Sequence, residues 1–506
     1  MKIFSLLYIF LLLSHSCSGF VTNQYIPLNI KNRKYSNIKK YNVISKSLKM
    51  LQNDNQKPLF NIPISYDKKK GLLFYDVNIT PEIWAIILVY FAQGLFGICR
   101  LALSFYYKDI LHLTPVNLTI ISTISAIPWI IKPLYGFISD TFPLFGYKRK
   151  SYLLLSGLLS SISWGFLALL TTFISNGNII GNAAFYSISL VTLSSLGLAF
   201  SDVLVDAIVV SKSRDQNTAG TLQSLCWTSS SIGGIISAYF SGYLLQNYGS
   251  TFVFSLTAII PFMISATAGL IKENKIDLVK NLPINNNIEA FSTQVKHIWG
   301  TLSQKSILYP FIFLIIWNAS PSAGPALFYF EANQLGFQPE FFGQLGLVSS
   351  LSSLIGIFLY NQKLKSVPLR TIFKWTCIAS SILGMSPLIL TTHLNTYFGL
   401  PDKLFAIIDD VTLSILGQIT FMPILVLAAS ICPVGVEAML FATIMSAYNL
   451  SGNFGRLFGG IFTQVLGITS TDFTNLNWLI ILTNIFSLVP LLFLHFIPDT
   501  KNDKKI

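Results

Sequence analysis

Charge is what this chain has least of. Only 11% of its 506 residues are Asp, Glu, Lys or Arg, while 52% are hydrophobic. A soluble chain carries roughly a quarter charged residues, so most of this one is built to sit in lipid. Cysteine is also scarce: Cys99, Cys226 and Cys377 fall inside apolar runs, Cys432 at the end of one, and Cys17 near the start, which excludes a disulfide framework. The five histidines are scattered, with no pair at metal-ligand spacing, and no nucleotide loop or nucleophile elbow occurs. Neither an enzyme of soluble type nor a resident metal or cofactor is expected. The net charge of +13 would suit nucleic acid, but the first 80 residues, with twelve Lys or Arg against three Asp, supply +9 of it. The rest is close to balanced, and no nucleic-acid partner is expected.

What is present begins with a leader. Lys2 and the apolar Ile3 to Leu13, followed by Cys17 and Gly19 at the minus three and minus one positions of a cut before Phe20, read as a signal peptide over 1–19. Residues 20–79 form a basic, transit-like segment and linker: Val21 to Asn53 holds seven basic residues and no acidic one. A two-part leader with Phe at the start of its second part suits a plastid bounded by extra membranes, the alternative being an endomembrane or plasma membrane. From Pro81 the chain becomes twelve apolar runs, each near the ~20 residues that a bilayer crossing needs. They fall at 81–105, 115–138, 151–174, 183–211, 220–246, 249–271, 307–330, 340–361, 371–393, 404–431, 436–466 and 476–496. The expected fold is an all-α membrane protein with twelve transmembrane helices in two six-helix bundles, 80–271 and 307–496. A polar central loop, 272–306, divides them, and a polar tail, 497–506, follows.

Basic residues separate the two faces. Lys148, Arg149, Lys150, Lys212, Arg214, Lys363, Lys365, Arg370 and the tail lysines fall at run ends of one parity, and only Lys108 and Lys403 at the other. Both termini are therefore expected on the basic, cytosol-like face. The halves read as diverged copies: a shift of 220 carries Gly136 onto Gly356, and a shift of 219 carries Ser211, Ala219 and Gly233 onto Ser430, Ala438 and Gly452. Parallel halves place a substrate between them near the midplane. Between the second and third runs stands Lys132-Pro133-Leu134-Tyr135-Gly136-Phe137-Ile138-Ser139-Asp140, then the basic Lys148-Arg149-Lys150. Gly136 permits close helix approach, Asp140 sits where the helix leaves lipid, and the basic cluster offers it cationic partners. The spacing Gly-x-x-x-Asp, then Gly-x-Lys-Arg, resembles the gating loop of major facilitator transporters, stretched here by Phe142-Pro143-Leu144-Phe145. The blander alternative is a loop that only sets topology.

Ionisable side chains inside lipid cost at least a few kcal/mol and need a reason. Asp202 and Asp206 lie four residues apart on one face of the fourth run, with Lys132 at similar depth on the second. That cluster is the candidate for proton coupling, since like charges in a low dielectric hold a shared proton; the alternative is an ion network that locks the half together. Arg100 and Arg456 lie nearer the opposite face, after Gly94-Leu-Phe-Gly97 and Gly452-Asn-Phe-Gly455. Two guanidinium forks, one per half, suit an organic anion, unless Asp410 neutralises Arg456. Trp129, Trp227, Tyr239 and Tyr448 are positioned to stack on a flat heterocycle or simply to pack. Gly234-x-x-x-Ala238-x-x-x-Gly242 and Gly455-x-x-x-Gly459 are stripes for close helix packing.

Longer strings narrow the reading. Phe105-Tyr-Tyr-Lys108, Lys132 to Asp140, Asp202-Val-Leu-Val-Asp-Ala-Ile-Val-Val210, Gly220-Thr-Leu-Gln-Ser-Leu-Cys-Trp227, Ser237-Ala-Tyr-Phe-Ser-Gly242 and Cys432-Pro-Val-Gly-Val-Glu-Ala-Met-Leu-Phe-Ala442 stand in order across both halves. Together they resemble the folate-biopterin transporter family of the major facilitator superfamily. The resemblance implies transport of folates or pterins, with protons as the co-transported partner. On its motifs fall Lys132, Asp140, Lys148, Arg149, Asp202, Asp206, Gln223 and Glu437; Val434 departs from them where a second Pro is expected. Folate's glutamate tail suits Arg forks, and the adjacent N–H donors of a pterin edge suit Asp202 or Asp206. A carrier of another organic anion or nutrient, and a non-transporting membrane scaffold or receptor, are the competing readings.

Overall fold

The computed structural model describes residues 80–177, 182–216, 219–275, 299–364, 367–432 and 437–497. It also describes strands at 64–67, 71–74 and 77–78, and residues 293 and 296. The expected signal peptide, most of 20–79, much of the central loop and the polar tail lie outside the described residues. Ahead of the first helix, β1 (Ile64–Asp67), β2 (Gly71–Phe74) and β3 (Val77–Asn78) form an antiparallel meander in the order β1-β2-β3.

The first two crossings open alike. Thr80 caps α1 (Pro81–Leu95) by accepting the Ile83 amide at 3.4 Å, and Thr114 caps α3 (Pro115–Ile130) by accepting the Asn117 amide at 3.3 Å. Thr-Pro serves this position because the hydroxyl satisfies an orphan donor while proline, lacking one, starts the helix with φ already set. Both crossings then break. A turn at Phe96-Gly97 leads into α2 (Ile98–Phe105), and Ile131, flanked by Pro128 and Pro133, separates α3 from α4 (Lys132–Thr141). Next come α5 (Lys150–Ser175), α6 (Ala183–Gln216) and α7 (Ala219–Thr267). The chain turns at Gly249 (φ 77°, ψ 173°), so α7 is a helical hairpin.

The later helices are α8 (Lys305–Asn318), α9 (Gly324–Asn333), α10 (Pro339–Leu359), α11 (Leu369–Leu383) and the short α12 (Pro387–Thr391) and α13 (Leu394–Tyr397). Then follow α14 (Asp402–Ser430), α15 (Glu437–Val465) and α16 (Leu476–Phe486). Among the described residues nine segments are long and apolar enough to cross a membrane, one of them the 46-residue Leu225–Leu270. The run at 307–330 is instead two short helices, because Pro321 lies in the break between them and Pro325 opens the second. Side chains such as Ile162, Phe166, Leu169 and Phe173 are exposed along α5, as a lipid-facing stripe requires.

Small residues set the closest contacts. A Cβ on Gly94 would lie 1.9 Å from the Ser230 carbonyl oxygen, and one on Gly233 2.3 Å from that of Phe91, so α1 and the start of α7 touch backbone to backbone. In the later helices Gly455 and Gly459 of α15 meet the Ser320 and Ser322 carbonyls at 2.4 and 2.1 Å in the same sense. Van der Waals packing and polar contacts, not water exclusion, hold helices together in lipid, and glycine maximises both.

Candidate functional site

The break in the second crossing builds the first cluster. Lys132 opens α4, where a helix dipole would repel its ammonium, and the compensating charge comes from Asp202 on α6, whose Oδ2 lies 2.5 Å from Nζ. The Trp129 ring lies 4.5 Å from the same ammonium, and its Nε1 donates to Ser195 Oγ at 3.0 Å. Gln93 Nε2 of α1 donates to the other Asp202 oxygen at 2.9 Å. One turn along α6, Asp206 accepts the hydroxyl of the buried Tyr90. Asp202 is 9% exposed, while Asp206 stands open on the helix face. The cluster thus pairs a carboxylate compensated by an ammonium with one whose partner is an uncharged hydroxyl.

Trp227, 61% exposed, and Gly234, with open space where a Cβ would be, look out from the first arm of α7. The small-residue stripe continuing from Gly234 is packed at its far end, where Gly242 meets the backbone of Pro339 and Glu340. Gln223 lies in α7 and Glu437 at the start of α15; their side chains lie outside those described.

Arg100 on α2 and Arg456 on α15 are both exposed, and Arg456 lies within electrostatic reach of Arg100. Arg456 donates to Asn453 Oδ1 at 3.0 Å. Among the described residues neither guanidinium has a carboxylate within ion-pair distance, and Asp410 forms no bridge to Arg456. Guanidiniums without a carboxylate partner in a membrane-spanning fold are chemically suited to take an anion.

The helices before 272 and those after 305 meet away from the basic loops. Lys108 Nζ reaches Asn333 Oδ1 at 2.9 Å, the Tyr329 hydroxyl donates to the Leu113 carbonyl, and the Glu340 amide donates to Gln246 Oε1 at 3.0 Å. Phe105, Phe328 and Phe342 close the same end with ring centroids 5.2 to 5.8 Å apart. A groove of about 550 Å³ near Gln246, Glu340 and Lys403 lies on this end and touches neither charge cluster.

At the basic end the loop between α4 and α5 is held by a carboxylate that sequence reasoning missed. Phe145 (φ 55°) and Gly146 (φ 83°) turn the chain so that the amides of Lys148, Arg149 and Lys150 all point at Glu273, at 2.9, 3.2 and 2.9 Å. Asp140, expected to face the basic cluster, is exposed and has no ion-pair partner among the described residues. Gly136 lies in ordinary contact with Val203, 3.6 Å from where its Cβ would be.

The BT1 family description matches residues 93–506. The chain belongs to the BT1 family. It is similar to the folate-biopterin transporter of Synechocystis sp., 43% identical over 87% of this chain and 86% of the relative. It is also similar to folate transporter 2 of Plasmodium falciparum, 31% identical over 88% and 93%. Solved structures of a nucleoside transporter and of a D-xylose-proton symporter superpose with TM-scores of 0.61 and 0.59, each covering 83% of the chain and 99% of the neighbour. At 13% and 14% identity these show the fold alone, that of a major facilitator transporter. The BT1 chain is therefore a multi-pass membrane transporter and not an enzyme, as its residues implied.

In this BT1 protein the structure brings Lys132 to Asp202, and Arg100 towards Arg456, as depth along the helices suggested. It adds Tyr90 and Gln93, which sequence reasoning passed over. Their signal was available: two polar side chains three residues apart share one face of a helix that is apolar from Ile83 to Val89.

Proposed function

We propose that the protein carries folates or pterins across its membrane, crossing it twelve times in two six-helix bundles and alternating access between them, with protons as the coupled ion. The observation that carries this reading is the pair of carboxylate-free guanidiniums, Arg100 and Arg456, one contributed from each set of helices. A glutamate tail would span them, while Asp206 and the Lys132–Asp202 pair would meet the N–H edge of a pterin and Trp227 its flat face. The names of the relatives support the substrate class, and the contacts around Lys108, Tyr329 and Phe342 support a state closed at that end. Lys148, Arg149, Gly136 and Asp140 would form the gating loop at the other. The leader composition supports delivery to the envelope of a complex plastid after removal of residues 1–19.

The test is uptake of labelled folic acid into proteoliposomes with and without a pH gradient, competed by biopterin and a panel of other organic anions. Arg456→Ala should weaken uptake by ~10 to 100-fold, the loss of one charge-assisted contact, and Asp206→Asn should abolish its pH dependence. Undiminished proton-linked uptake in both variants would refute the assignment, and competition only by unrelated anions would move the substrate class.

A further inference from the structure

Phe142-Pro143-Leu144-Phe145, which lengthens the loop between α4 and α5, has no role in the proposed substrate site. The apolar spans Pro115–Thr141 and Lys150–Ser175 flank this loop and so put it at the membrane boundary. Phe142 is 42% exposed there and Phe145 72%. The Tyr147 amide donates to the Leu144 carbonyl at 3.0 Å to close the turn, and Phe145 takes a left-handed φ of 55° at its tip. Such a backbone disfavours a bulky side chain, and water disfavours an exposed phenyl ring. An apolar side chain held out beside cations is how a surface element anchors where headgroups meet acyl chains.

The cations are gathered by Glu273. Its two oxygens accept the amides of Lys148, Arg149 and Lys150 at 2.9, 3.2 and 2.9 Å, so backbone at the start of α5, not a side chain, answers its charge. The same bonds bring Lys272 and Lys275, next to and two residues from Glu273 and both exposed, to the foot of the loop. Lys150 Nζ lies 5.9 Å from the centre of the Tyr147 ring. Among the described residues none of these five cations has an ion pair. Asp140, in the last turn of α4, is the other acid on the two stretches 132–150 and 271–275. With five side-chain cations against two acids, one of them turned to the amides, the surface beside Phe145 is basic.

We propose that Phe145, Lys148, Arg149, Lys150, Lys272 and Lys275 form a site for the phosphate headgroup of an anionic lipid, with Glu273 as the residue that positions it. The cations take the phosphodiester, and the phenyl ring lies among the glycerol and upper acyl carbons. A soluble phosphate would meet the same cations but gain nothing from Phe145, so the ring commits the site to lipid. Setting topology requires positive charge on this face but neither the carboxylate seat nor the ring. The site is independent of which solute is carried.

Native mass spectrometry tests this on the full-length protein, in detergent micelles holding equal amounts of dioleoylphosphatidylglycerol and dioleoylphosphatidylcholine. The wild type should retain an excess of phosphatidylglycerol. Lys272→Gln with Lys275→Gln should lower that excess by about fivefold or more, and Phe145→Ser, also at an exposed position, should lower it too. Glu273→Ala removes a negative charge, so a surface that reads net charge alone would bind more phosphatidylglycerol; a positioned site binds less, with phosphatidylcholine unchanged. Glu273→Gln, which keeps an oxygen for the amides, should recover part of the loss. Equal retention of both lipids by the wild type, or an excess unchanged in both the lysine pair and Phe145→Ser, overturns the proposal. Displacement by millimolar inorganic phosphate, or an excess lost with the lysines but kept in Phe145→Ser, assigns the surface to soluble anions and overturns the lipid site. A gain in Glu273→Ala overturns the positioning role.

Discussion

At one pair of related positions the two sets of helices solve a packing problem with different residues. Where the first crossing meets α7, glycine stands on both sides: Gly94 against Ser230 and Gly233 against Phe91. At the corresponding crossing of α8 with α15, Gly452 faces not a glycine but Asn318, whose Nδ2 bonds the Tyr448 carbonyl at 2.7 Å. Gly233 and Gly452 are the positions that a shift of 219 relates in sequence. The charges differ in the same way. In the earlier helices Asp202 and Asp206 have Lys132, Gln93 and Tyr90 as partners; in the later ones Asp409 has the Ser386 hydroxyl and the buried Asp410 Oδ2 has no partner. The first set is thus tied by an ion pair and two hydrogen bonds, while the second leans on hydroxyl donors and leaves one buried carboxylate oxygen unbonded.

The largest effect should come from adding one methyl group to each crossing. Gly94→Ala drives a Cβ into backbone, which cannot yield without separating α1 from α7, so a loss at the upper end of the ~1–3 kcal/mol typical of overpacking is expected. Gly452→Ala meets the far end of the Asn318 side chain at 2.7 Å and should cost about 1 kcal/mol, the worth of the hydrogen bond displaced. Thermal unfolding in detergent ranks the two, and the reverse order would break the contrast between a rigid and a yielding crossing.

Next in size is the loss of a charge. Lys132→Met leaves Asp202 with Gln93 alone; the pair is partly solvated, so about 1–3 kcal/mol lies between the exposed and buried limits. Adding Asp202→Asn should recover most of it. Asp409→Asn, which removes a like charge and keeps an acceptor for Ser386, should be neutral or stabilising. Melting temperatures of the four proteins test this, and equal destabilisation by Lys132→Met and Asp409→Asn would mean that both sets of charges are paired.

The length of the apolar runs was enough to read helices throughout, because lipid leaves a backbone few other ways to satisfy itself. Counting depth also brought Lys132 opposite Asp202, a separation the structure puts at 2.5 Å. What counting could not see was direction. Nothing in Lys148-Arg149-Lys150 signals that its amides, rather than its cationic side chains, hold the loop between α4 and α5, since that depends on the left-handed turn at Phe145 and Gly146. Asp409 went unread for a related reason: an acid near the end of an apolar run looks like the start of a loop. The partners Tyr90 and Gln93 carry no charge, and uncharged polar groups stand out little among 506 residues of this composition.

The smallest expected effect lies where the two sets of helices join. Asn333 accepts from Lys108 across the join at 2.9 Å and donates to the Ser470 carbonyl within its own set at 2.7 Å. Asn333→Ala removes both, Lys108→Ala only the first. Water can replace each contact, so about 1 kcal/mol separates the closed and open ends, a several-fold change in population. A cysteine placed at Phe328, beneath the join, should therefore react a few times faster with an impermeant thiol reagent in either variant. Equal acceleration would assign the effect to the Lys108 bond. Acceleration in Asn333→Ala alone would assign it to the Ser470 bond, and the later helices would then loosen internally instead of parting from the earlier ones.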